Sequence, residues 1–177
     1  NFSGLCNVNS FLNYEKLIKK LLIFLKSLKN VKIIIKLHPG ENFHNKMLND
    51  FLKLHFPEIT VYQTKPSKKL IQSCDIMIHT TPEFYEMSTI MLESMILGKP
   101  IIEIYADEDP KIFKDKLPRL SFKEELNKIS EIICDTNLCE KLVYQNNELL
   151  KNYLINTKTA SKTISNFLNN LEQTCNT

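Results

Sequence analysis

The chain has 177 residues, 43% hydrophobic and 24% charged, a balance that suits one globular domain with a sizeable core. No apolar run reaches the ~18 residues of a membrane span, and the five cysteines (Cys6, Cys74, Cys134, Cys139, Cys175) form no CxxC pair, which argues for reduced thiols in a cytoplasmic setting over a disulfide framework. The net charge of +3 is uneven, with twelve lysines against four acids in residues 1–72, so the basic half suits a phosphate-bearing ligand or is simply a solvated lysine surface.

In chain order, residues 11–29 place Leu17, Ile18, Leu21, Leu22 and Leu25 at helical spacing with lysines opposite, which predicts a helix. Residues 31–37 are a short Val/Ile run and predict a buried strand. Residues 42–55 repeat a helical pattern through Phe43, Met47, Phe51 and Leu54. A strand is expected over 59–63, a short helix over 66–74 with Pro66 at its start, and a strand over 75–79. A helix over 89–97 stops at Gly98, and a strand over 100–106 opens on Pro100, where proline is tolerated. Beyond it lie a charged connection with a short edge strand near Leu120, and then helices within 122–135, 138–154 and 161–173.

Alternating helices and strands predict an α/β fold, a Rossmann-like parallel sheet with helices on both faces. Residues 1–177 read as a single domain, with an α/β core over 11–106 and a helical part over 107–177. In such a sheet, ligands bind beyond the carboxyl ends of the strands. The residues there are His38-Pro39-Gly40-Glu41, Gln63-Thr64-Lys65, His79-Thr80-Thr81-Pro82-Glu83 and Ala106-Asp107-Glu108.

His38 is held extended by Pro39, and Gly40 lets a bulky partner approach the backbone. An imidazole so placed can donate to a phosphate oxygen, or it can cap the strand end. Ser88 and Thr89 stand at the start of the 89–97 helix, where free N–H groups and the helix dipole attract anions. Glu93 lies one turn into that helix, within reach of a ribose diol, or serves as a favourable charge near the helix N-terminus. Together these residues describe a nucleotide pocket. His38 and the Ser88-Thr89 turn bind phosphate, Glu93 binds ribose, and the Gln63-Thr64 turn meets the base. Thr80 and Thr81 line the next strand end. The single arginine, Arg119, disfavours nucleic-acid readout. Four histidines without an HExxH motif offer no support for a metal site, so no metal and no cofactor are expected.

The stretches "KLHPGE", "LIQSCDIMI" and "STIMLESMILGKP" before an apolar strand resemble the C-terminal nucleotide-binding half of GT-B glycosyltransferases. The resemblance is closest to the group that builds surface and capsular polysaccharides, including sialic-acid-type and polyol-phosphate transferases. UDP-sugar 2-epimerases share the architecture. The resemblance covers residues 11–106 and implies a donor linked to CMP, CDP or UDP, with a glycan or lipid-linked acceptor. It implies cytoplasmic work at the inner face of the membrane, with peripheral membrane association as one arrangement. It also implies phosphate contacts for His38 and Ser88-Thr89, and catalysis through His38 stabilising the departing phosphate.

Two departures stand out. The segment "HTTPEFYEM" is longer than the family's. The family's first central strand and its N-terminal acceptor half have no counterpart, so the chain is expected to be part of a longer protein, with the catalytic base in the other half. The leading expectation is the donor-binding part of a glycosyltransferase or polyol-phosphate transferase. A 2-epimerase-type isomerase and a non-catalytic binding or regulatory α/β domain remain open beside it.

Overall fold

The computed structural model describes residues 8–40, 43–81, 88–105, 119–121 and 126–153, together with 159 and 162. The elements run α1 (Val8–Ser27), β1 (Ile34–Lys36), α2 (Phe43–His55), β2 (Thr60–Tyr62), α3 (Ser67–Ser73), β3 (Met77–Thr81), α4 (Thr89–Ile96), β4 (Ile101–Tyr105), β5 (Arg119–Ser121), α5 (Leu126–Cys134) and α6 (Thr136–Tyr153). This is the expected order of helices and strands. The helix expected within 161–173 lies outside the described residues apart from Lys162.

The strands are all parallel, but they do not form one continuous sheet. β1 pairs with β2, and β3, β4 and β5 form a second sheet in that order. This corrects the expectation that residues 31–37 form a buried strand. Among the described residues β1 pairs with one strand, spans three residues, and leaves Ile34 38% exposed.

Residues alternate between the two faces of a strand, and this assigns the faces of the β3–β4 sheet. Ile78, Ile102 and Ile104 belong to the larger core, with Tyr14, Leu17, Ile18, Leu21, Leu22 and Leu25 of α1. Ile35 of β1 and Val61 of β2 pack into the same core, so α1 serves both sheets. The opposite face carries Met77 and Ile101, which pack with Met91 and Met95 of α4 and Leu149 and Leu150 of α6. Helices thus cover both faces of this sheet, as expected.

α4 ends as its sequence foretells. Gly98 sits in the left-handed region at φ 67°, with open space where a Cβ would stand, so the constraint is conformational. Its N–H bonds to Met95 O at 2.9 Å and that of Lys99 to Ser94 O at 3.0 Å, a Schellman closure.

One buried residue breaks the apolar pattern. Asn146 of α6 is 1% exposed, and neither its Nδ2 nor its Oδ1 has a hydrogen-bond partner among the described residues. Burying an unmatched amide costs about 1–3 kcal/mol. Asn146→Leu is therefore expected to raise unfolding free energy by about that amount. Urea unfolding checks this, and a loss of stability would show that the amide is bonded in solution.

Candidate functional site

The residues singled out from the sequence fall into three groups. The first is the turn after β1. His38 and Pro39 are exposed and Gly40 is half-buried. The Gly40 N–H donates to His38 Nδ1 at 3.1 Å, and a Cβ at residue 40 would stand 3.1 Å from that same nitrogen. Glycine therefore lets the imidazole fold back on its own turn. With Nδ1 accepting, Nε2–H is the donor the ring presents. Asn45, from the first turn of α2, donates Nδ2 to His38 O at 3.0 Å and also to Gly40 O. The turn is thus pinned by the helix that follows it.

Lys36 lies beneath this turn and has a structural task. Its Nζ donates to Leu37 O at 2.5 Å and Gln63 O at 2.8 Å, tying the carboxyl ends of β1 and β2 together. Burial holds its pKa below the usual lysine range. Gln63 contributes its carbonyl to this tie, and the Thr64 side chain is exposed.

The second group joins α3 to α4. Ser67 Oγ donates to Glu93 Oε2 at 2.6 Å. One oxygen of the carboxylate expected to meet ribose therefore accepts a protein hydroxyl. Lys99 likewise holds backbone: its Nζ donates to Cys74 O at 2.7 Å and Gln72 O at 3.2 Å, closing the end of α3.

The third group gathers at β3, β4 and the start of α4. The strand begins two residues later than the sequence suggests and reaches Thr81, so His79 lies mid-strand, directly opposite Glu103 on β4. Alternation puts both on the face toward α4. His79 Nε2 is 3.0 Å from Ser88 Oγ, and His79 Nδ1 is 3.7 Å from Glu103 Oε1. Ser88 is the N-cap of α4, extended at φ −75° and ψ 151°, yet its hydroxyl makes no cap hydrogen bond and turns to His79 instead. Thr89, the first residue of α4, is exposed. Thr80 faces the other way, its Oγ1 3.0 Å from Tyr14 Oη. Of Thr81 only the backbone is described, and Pro82, Glu83 and Tyr85 lie outside the described residues.

His79 and Glu103 are the residues that the sequence reading passed over as a pair. The signal was present: Glu103 interrupts the apolar run "PIIEIYA" at a position facing a helix. No hydrogen bond links the His38 turn to the Ser88 group among the described residues. A cleft of about 640 Å³ lies instead at the amino ends of β3 and β4, lined by Ile76, Lys99, Pro100, Cys139 and Val143 among others. Among the described residues, no group of three histidines, cysteines or acids could hold a metal ion, and no helix is long and apolar enough to cross a membrane. No protein-family model, curated protein or solved structure matches this chain.

Two outcomes follow. Burial raises the Tyr14 pKa while the Thr80 bond lowers it, with burial the larger effect. Above about pH 10 the unfolded chain sheds the phenolic proton first. Stability is then present at lower pH and lost as pH rises. Tyr14→Phe is expected to flatten that alkaline fall in Tm, and equal slopes in the two proteins would contradict it. Asn45→Ala is expected to speed hydrogen exchange at the Gly40 amide about tenfold, with global stability nearly unchanged.

Proposed function

We propose that this chain is the donor-nucleotide-binding part of a glycosyltransferase or polyol-phosphate transferase that acts in surface polysaccharide biosynthesis. The observation that carries the reading is the placement of two polar segments at strand carboxyl ends: the His38 turn follows β1 and the Ser88 helix start follows β3, among described strands that pair in parallel. The carboxyl ends of parallel strands are where α/β folds take ligands.

Each half of the site has suitable chemistry. The His38 ring offers Nε2–H to a phosphate oxygen, with its orientation set by the Gly40 N–H. The start of α4 offers backbone N–H groups and the positive end of a helix dipole. A leaving nucleotide phosphate gains charge as the sugar departs, and donors fixed in advance stabilise that charge. Glu93 accepts Ser67 Oγ–H on Oε2, and its second oxygen can accept a ribose hydroxyl. An acceptor-binding half and a catalytic base complete the enzyme in this reading. The acceptor is a glycan or a lipid-linked glycan.

The test is ligand-detected NMR on the chain with CMP, CDP, UDP and GDP in parallel. One nucleotide is expected to bind selectively, and His38→Ala to weaken it about tenfold or more, the worth of a charge-assisted hydrogen bond. A folded sample that binds none of the four, or binds equally well without His38, overturns the proposal.

A further inference from the structure

We propose that Ser88, His79 and Glu103 form a serine–histidine–glutamate relay in which Ser88 is a nucleophile toward carboxylic esters. This activity goes beyond nucleotide binding and draws on the same start of α4. The three residues come from α4, β3 and β4, and the fold brings them into one line. His79 Nε2 stands 3.0 Å from Ser88 Oγ, within the 2.6–3.2 Å reach expected of a nucleophile and its base. Glu103 lies on the far side of the ring, 3.7 Å from Nδ1.

Glu103 and His79 side chains are 8% and 12% exposed, on the sheet face that carries Met77 and Ile101 against Met91 and Met95. His79 Nδ1 is buried without a hydrogen-bond partner among the described residues, and 3.7 Å from Glu103 Oε1 is too long for one. In the relay a carboxylate on that side favours the proton on Nδ1, with the Nε2 lone pair turned to Ser88. Exposure rises along the line, from buried Glu103 through His79 to half-buried Ser88 beside exposed Thr89. The reactive end therefore faces outward.

Ser88 also has an electrostatic neighbour suited to the chemistry. Its carbonyl accepts the N–H groups of Met91 and Leu92. Helix geometry leaves those of Thr89 and Ile90 without a helical acceptor, next to where an ester oxyanion would form. In the reaction, Ser88 Oγ bonds to the acyl carbon and its proton passes to His79 Nε2. The carbon–oxygen bond to the alcohol breaks, and the alkoxide takes that proton from Nε2. Water then attacks the acyl-serine, its proton goes to Nε2 and on to Ser88 Oγ, and the carboxylic acid leaves. Glu103 is a positioning residue throughout.

The experiment treats the folded 177-residue chain with a fluorophosphonate probe and follows the adduct by intact mass and peptide fragmentation. One adduct per chain is expected, on Ser88, absent in Ser88→Ala. His79→Ala is expected to slow labelling roughly 100-fold, the contribution of a general base. Glu103→Gln keeps the side-chain volume. It is expected to slow labelling and to shift the His79 Nδ1–H proton resonance, which a purely structural role would not do. Far-UV circular dichroism confirms that each protein is folded. No adduct on the folded wild type, an adduct on another serine, or equal rates with and without His79 overturns the relay. An unshifted Nδ1–H resonance in Glu103→Gln removes Glu103 from it. Nucleotide binding is read on a separate sample by NMR, so either proposal can fail alone.

Discussion

The burial of one face of α1 is the constraint on which the rest of the structure depends. Tyr14, Leu17, Ile18, Leu21, Leu22 and Leu25 are each at most 7% exposed, and they pack into a core shared by β1, β2, β3 and β4. Each such side chain gains about 1.5–3 kcal/mol on burial. Among the described residues the two sheets exchange no strand pairing, and this shared apolar face, with the Tyr14–Thr80 bond at its end, joins them in one core. The outward face of α1 keeps its lysines in water, and Lys26 pairs with Glu58 just before β2.

Much of this was legible in the residues. The spacing of the leucines in α1 and the Val/Ile runs of the strands are local signals, and they fix element type and order. So are Gly98 and the start of α4. What could not be read was pairing. β3 begins at Met77 rather than at residue 75 because its partner residue Ile101 starts β4, and pairing between residues 24 apart leaves no local mark. That shift moves His79 from a loop-side position to mid-strand and sets it against Glu103. The separation of the described strands into two sheets left no local mark either.

Several polar residues proved to be holding the scaffold. Lys36 and Lys99 spend their ammonium groups on carbonyls at strand and helix ends. Glu93 is held by Ser67, and Asn45 by the His38 turn it braces. A polar residue near a strand end satisfies stranded backbone groups as readily as it greets a ligand. Sequence position alone does not separate the two uses. The Ser88 hydroxyl shows the contrast, since it stands at a helix cap and declines the cap bond in favour of an imidazole.

The place of α1 in the chain has a consequence for how the protein is made. α1 is the first described element, yet its core partners include Ile102 and Ile104 on β4 and Ile129 on α5. During synthesis β1 and β2 can cover part of its apolar face early, but the part that meets β4 and α5 stays open until those later elements have emerged. Until then an amphipathic helix and single-sided strands stand open to other chains, in a fold whose parallel pairings close slowly. The feature that unifies the finished molecule is therefore among the last to be completed as the chain emerges.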